Sequence, residues 1–353
     1  MARRPTTRPD GRDSGRLRRT LLAGLVAAAV VFPVSAAASP AVPAPAPAVL
    51  GEDVALPDRY AANLANLAEA ARTAEDADRG SRAAKLRAME AGGDARFLVF
   101  DGRGKGRATE VLGDLETADR IAVLIPGSDT TLDTYQRFRA GALALHQRLR
   151  AEHSRSAVVV WLGYDTPGTV SPAVLTAGRA DEAAAELGSF LPRLARSATP
   201  GARLSLLCHS YGSVVCARTE TGPEVTDIAL FGSPGTGAAS AAELPTSARV
   251  WAGRGAADWI SGVPHVRFGG VGFGVDPVDP AFGALPFAAG PGGHSDYLKP
   301  DTESLNSLAG IVLGTSPAVR PGADPTAATS ARSPSALPAP SALTAPEVSR
   351  ARP

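Results

Sequence analysis

One short stretch of this 353-residue chain has residue types and spacing suited to covalent catalysis: LLCHSYGSVVC, residues 206–216. A serine hydroxyl becomes a useful nucleophile when an imidazole takes its proton and backbone N–H groups receive the charge developing on the attacked carbonyl oxygen. A sharp turn from a buried strand into a helix supplies part of this. It lifts the serine clear of the sheet, and the helix end adds roughly half a positive charge beside the developing oxyanion. Here RLSLL is the strand, YGSVVC opens the helix, and Gly212 is the small residue two positions after Ser210. Tyr211 then offers the first oxyanion N–H. The competing reading of Ser210 is an ordinary N-cap, because serine also closes first helical turns well.

The base must come from five histidines. His146 and His153 fall in a helix and at its end and read as solvated. His209 adjoins the serine and is expected to point away from it in a structural role. His265 and His294 remain, and His294, in GPGGHSDYL, lies after the last expected strand and before the final helix. Among the carboxylates, Asp258 follows the strand ARVWAG in the short turn RGAAD, with Trp259 and Ile260 expected to shield it from water. Asp276 and Asp279 each precede a proline and read as turn formers. Asp296 sits too close in the chain to His294 to reach it from the far side. A second oxyanion N–H is expected from LIPGSD (124–129), through Ser128 or Asp129, with Gly127 allowing close backbone approach. Asp165, in GYDTP, reads as a turn cap with substrate contact as the alternative.

These residues need a scaffold, and the sequence describes one. RFLVF (96–100) and RATEVLG (107–113) flank a turn-rich loop and predict a strand pair. From residue 119 apolar strand runs alternate with helical patterns. The strands are 120–127, 157–164, 202–210, 227–235 and 248–253, and the helices 132–153, 172–197, 211–220 and 302–314. Such alternation predicts an α/β fold, a mostly parallel sheet wrapped on both faces. Residues 57–94 predict one or two helices covering the domain edge, and residues 95–315 the main domain. The loop 266–287 holds four of the ten phenylalanines among Gly and Pro. It is expected either to wall an acyl pocket or to pack its aromatics inward.

The flanks are of another kind. Seven arginines lie within the first 19 residues, 14 apolar residues follow (21–34), and then SAAASPA. That order predicts a cleaved signal peptide over residues 1–38. Fourteen helical residues span only about 21 Å, short of a hydrocarbon core of about 30 Å. Arg18 and Arg19 before Thr20 resemble a twin-arginine signal, with general secretion as the alternative. Residues 39–56 read as a Pro/Ala linker and 316–353 as a disordered Pro/Ala/Ser-rich tail. The full chain carries 36 basic and 35 acidic side chains; without residues 1–38 the balance is 29 to 33. A faintly acidic chain with no basic run gives no support for nucleic-acid binding. Cys208 and Cys216 are expected to be unpaired, since a strand end and a site nearly two turns into a helix should exceed the ~7 Å bridging limit. No Cys/His cluster has metal-ligand spacing, and no cofactor is expected.

LIPGSDTTLD, VVVWLGYDTP, CHSYGSVV, FGSPG, WAGRGAADWI and GGHSDYL occur in one order. Together they resemble an actinobacterial exported α/β-hydrolase family long known only as a domain of unknown function. The resemblance spans about residues 95–315 and implies a serine-hydrolase fold with Ser210, Asp258 and His294 at the family's triad positions. Cys208 stands where the usual G-x-S-x-G elbow has its first glycine. The expected function is that of a secreted or envelope-associated monomeric serine esterase or lipase-like enzyme, acting on a small-molecule or lipid acyl substrate. A non-catalytic envelope-binding protein, an acyltransferase and a peptidase remain the alternatives.

Overall fold

The computed structural model describes residues 42–91 and 95–316. The expected signal peptide, the first three residues of the linker and all but the first residue of the expected tail lie outside them. Two helices come first, α1 (Leu56–Asp76) and α2 (Gly80–Glu90), followed by β1 (Phe97–Asp101), β2 (Arg107–Leu112) and β3 (Arg120–Ile125). Then come α3 (Tyr135–Glu152), β4 (Ser156–Leu162), α4 (Gly178–Arg196), β5 (Arg203–His209) and α5 (Tyr211–Arg218). The chain continues through β6 (Val225–Phe231), β7 (Arg249–Gly253), β8 (Leu285–Pro286) and α6 (Glu303–Leu313).

The eight strands form one sheet in the order β1-β2-β4-β3-β5-β6-β7-β8. Only β2 runs against its neighbours, pairing antiparallel with both β1 and β4. The apolar runs explain why the central strands are buried on both faces. In β3, Ile121, Val123 and Ile125 join the core beneath α4 and α5. Ala122 and Leu124 point the other way, into the core shared with α1, α2, α3 and α6. Strand β4 divides identically, with Val159 and Trp161 on one side and Val158 and Val160 on the other. A period of two thus fills both layers from one strand.

The edge is closed by side chains from the first helices. The buried Asn63 amide on α1 donates to the Leu98 carbonyl at 3.1 Å and accepts the Phe100 N–H at 3.0 Å. It meets the free side of β1 as another strand would. Arg82 on α2 makes a two-pronged ion pair with Asp133 at 2.8 and 2.9 Å, tying this layer to the segment after β3.

Three expectations need correction. The predicted helix over 172–197 is a short turn at Pro172–Leu175 followed by α4, because Thr176 is extended at φ −126° and ψ 157°. Its carbonyl and that of Leu175 are taken by Tyr211 and Gly272 rather than by helical N–H groups. Strand β8, inside the segment read as a loop, is additional. Cys208 and Cys216 are disulfide-bonded, with Cα atoms 6.4 Å apart. The backbone reverses so tightly at Ser210 that α5 turns back across the end of β5, bringing its second turn beside Cys208.

Candidate active site

Ser210 stands between β5 and α5 at φ 53° and ψ −124°, a left-handed conformation that is costly for a residue with a Cβ. The turn can be this tight only because its neighbours are small. A Cβ on Gly212 would fall 2.6 Å from the Pro126 carbonyl oxygen and 2.7 Å from that of Ile125. The elbow is braced from below by Ser213, whose hydroxyl donates to the Ser210 carbonyl at 2.6 Å. Ser210 makes no capping hydrogen bond to α5. Its Oγ instead lies 2.9 Å from His294 Nε2.

The opposite ring nitrogen of His294 faces Asp258, with Nδ1 2.9 Å from Oδ1 and 3.1 Å from Oδ2. A carboxylate only accepts, so Nδ1 carries the proton and Nε2 is free to accept from serine. Asp258 is buried, 1% exposed, and its remaining acceptor capacity is used locally. The Ile260 N–H donates to Oδ1 at 2.9 Å, and the Tyr297 hydroxyl donates to Oδ2. Tyr297 in turn accepts the Gly255 N–H at 3.0 Å, so its phenol links the turn carrying Asp258 to the loop carrying His294. Burial, and next the hydrogen bond to Asp258, push the Tyr297 phenol well above its usual pKa, keeping it a donor. Sequence reasoning missed this residue. The only signal was its place three positions after His294.

The backbone around the serine suits a developing oxyanion. The Asp129 N–H is committed to the Pro167 carbonyl at 3.0 Å. Among the described residues the Ser128 and Tyr211 N–H groups donate to no protein acceptor. Gly127 permits the approach of the Ser128 loop, since a Cβ there would fall 2.6 Å from that of Ser210.

Other candidates are placed elsewhere. His265 lies 3.5 Å from the Ser233 carbonyl and 3.6 Å from Asp276. Asp276 is paired with Arg254, Asp279 caps the short turn at Pro280–Phe282, and Asp296 pairs with Lys299 and accepts the Gly293 N–H. Asp165 sits 3.6 Å from Arg179. Neither helix histidine is simply solvated: His153 pairs with Asp119, and His146 is partly buried. Trp259 does not enclose the carboxylate; it is 55% exposed and lies over the His294 ring, centroids 4.6 Å apart. Ile260 is buried as expected. Among the described residues no group of three or more His, Cys, Asp or Glu side chains is disposed to hold a metal ion.

His209 supports this arrangement. Its Nε2 lies 2.8 Å from the His294 carbonyl and donates to it, pinning the loop that carries that ring. Burial, and then the neighbouring His294, push the His209 pKa down to about 4. The unfolded chain takes up this proton below about pH 6.5, whereas the folded one resists until about pH 4. Stability present above pH 6.5 is therefore lost as the pH falls toward 4. Urea unfolding at pH 7 and pH 4.5 should show an extra loss on the order of 2 kcal/mol that His209→Gln lacks. Equal pH dependence in the two proteins would refute this.

Residues 101–268 match the model of a family described as Alpha/beta hydrolase. This region carries the α/β-hydrolase fold. The chain is 30% identical over 253 residues to an uncharacterized protein of Mycobacterium tuberculosis, covering 60% of this chain and 37% of that one. It therefore spans little more than a third of that relative's length. An uncharacterized protein of Mycobacterium bovis is 31% identical over 148 residues, with 38% of this chain and 54% of that one covered. Among solved structures, the esterase LipW of Mycobacterium marinum superposes with a TM-score of 0.40 at 16% identity, covering 69% of this chain and 88% of LipW. Esterase B of Lactobacillus rhamnosis, inhibited by a tributyrin phosphonate, gives 0.38 at 14% identity, with 59% and 79% covered.

Proposed function

We propose that this α/β hydrolase is an exported serine esterase in which Ser210, His294 and Asp258 form the catalytic triad. Ser210 Oγ attacks the acyl carbon of an ester while His294 Nε2 takes the hydroxyl proton. The N–H groups of Ser128 and Tyr211 receive the oxyanion. On collapse His294 returns the proton to the departing alcohol, leaving an acyl group on Ser210. Water, activated by the same imidazole, then releases the acid. Asp258 holds the imidazole in its Nδ1–H form throughout and stabilises the imidazolium.

The observation that carries this reading is the unbroken hydrogen-bonded path from Ser210 Oγ through His294 to Asp258, ending on a serine held at positive φ. Export is supported by the apolar leader of residues 21–34 and by the Cys208–Cys216 disulfide, a bond at home in oxidising compartments. A fluorophosphonate probe tests the enzyme reading. Purified protein from residue 39 onward should be labelled covalently on Ser210, with parallel loss of hydrolysis of p-nitrophenyl esters. Labelling at another residue, or none with intact folding, would remove the serine-esterase assignment.

A further inference from the structure

Eight large hydrophobic side chains are exposed among the described residues, and six of them, Val170, Leu175, Trp259, Val266, Phe268 and Val271, lie on the segments that leave the C-terminal ends of β4 and β7, the same end of the parallel strands as Ser210. Phe268 is 90% exposed and Val170 81%. Scattered single apolar residues are ordinary on a protein surface, but a concentration at one mouth marks an interaction site.

Their positions are fixed by the site itself. Thr169, beside Val170, is held by its N–H to the Asp129 carboxylate at 3.1 Å, next to the Ser128 oxyanion donor. Tyr211, which supplies the other donor, anchors two segments. Its hydroxyl donates to the Thr176 carbonyl at 2.7 Å, adjacent to Leu175, and its ring meets Phe273 edge-on at 5.8 Å. From Phe273 the chain leads back to a small hairpin in which Phe268 and Val271 exchange both backbone hydrogen bonds, at 3.0 and 3.1 Å, across Gly269 and Gly270. Gly272 N–H joins this hairpin to Leu175 at 2.9 Å. Trp259 completes the ring over His294. Phe273 and Phe282, from the same segment, are buried, so the exposure of Phe268 is particular to the hairpin tip.

Charge narrows the occupant. No ionisable side chain lies between Asp165 and Arg179, and between Asp258 and Asp276 there are only His265 and Arg267. Arg267 is exposed and immediately precedes Phe268. An apolar tip with a neighbouring guanidinium fits an interface with anionic headgroups, where the ring enters the acyl boundary and the cation meets phosphate. The occupant must also deliver an acyl carbon to Ser210 at the centre of the ring. A protein seated across the rim would close that route, whereas a lipid surface supplies it.

We propose that this rim docks the hydrolase on an anionic lipid surface and that its substrates are long-chain acyl esters presented there. The substrate half, and the choice of a lipid surface over a protein, rest on the esterase reading above; the apolar tip with its neighbouring guanidinium carries the docking half without it. Docking is therefore measured on the inactive Ser210→Ala protein, by co-sedimentation with vesicles of phosphatidylcholine alone or mixed with phosphatidylglycerol. Mixed vesicles should bind it. Phe268→Ser combined with Val271→Ser should weaken binding about 10-fold or more, and Arg267→Gln about 5-fold on mixed vesicles only. In the active protein, the double substitution should lower the ratio of emulsified long-chain to soluble acetyl-ester hydrolysis about 10-fold. Absence of vesicle binding, or equal binding by the double variant, overturns the docking surface. Lipid-free self-association that the double variant abolishes would reassign the rim to a second copy of the chain and equally overturn it. Vesicle binding without hydrolysis of any ester would leave the docking surface standing and refute the esterase reading instead.

Discussion

Ser210→Ala is expected to lower ester turnover by about 10⁵-fold or more while leaving secondary structure and unfolding midpoint nearly unchanged. The expectation follows from how little of Ser210 is used structurally. Its side chain does not cap α5, and its Oγ is committed to His294 alone. Its backbone is another matter, because the Ser210 N–H donates to the Phe231 carbonyl at 2.9 Å and its carbonyl accepts from Ser213. Those bonds survive substitution. Alanine keeps a Cβ at φ 53°, so it keeps the strain as well and should gain no stability. Ser210→Gly relieves that strain and should be at least as stable as the native protein while equally inactive. Rates within tenfold of the native value in either variant, measured with a soluble ester by stopped assay, would mean that another group forms the covalent bond. Loss of the fold in both would show that the elbow needs the hydroxyl for packing.

Much of this site was legible because its parts follow local rules. Buried parallel strands such as Ile121–Ile125 are continuous apolar runs, and their alternation with helical patterns specifies the layers before any contact is known. The elbow has its own grammar: a strand, a serine, a small residue and a helix. His294 and Asp258 followed from their places after successive strands. What stayed hidden depends on angles between elements. The disulfide was misjudged because element types alone do not say that α5 folds back against β5. Tyr297 escaped notice because a phenol three residues after a histidine acquires meaning only when the Asp258 turn arrives beside it. The segment around Phe268 read either as the wall of an acyl pocket or as a loop packing its aromatics inward. Its tip was distinguished from Phe273 and Phe282 only once burial separated one exposed ring from two enclosed ones.

The second large effect is expected at Asp258. Every group facing this carboxylate is a donor: His294 Nδ1–H, the Ile260 N–H and the Tyr297 hydroxyl. Asn offers only one acceptor oxygen and replaces the other with an NH₂ group. With its oxygen in the Oδ2 position, toward Tyr297, the NH₂ takes the Oδ1 position, where it confronts the Ile260 N–H and faces His294, requiring Nδ1 to give up its proton. The proton then resides on Nε2, where it points at Ser210 Oγ and prevents the imidazole from accepting. With its oxygen toward His294, the NH₂ confronts the Tyr297 hydroxyl, which already accepts from Gly255. Asp258→Asn should therefore lower kcat by up to about 10⁴-fold with little change in KM. Tyr297→Phe removes one donor and leaves the tautomer intact, so its cost should be nearer 10-fold. Asp276→Asn and Asp279→Asn, which touch Arg254 and a surface turn, should each cost less than that. The pattern across the four variants is the test, read as kcat at constant pH with thermal unfolding in parallel. A near-native rate in Asp258→Asn beside a collapse in Asp276→Asn or Asp279→Asn would move the acid elsewhere, because only a carboxylate that fixes the imidazole tautomer can cost four orders of magnitude without unfolding the chain.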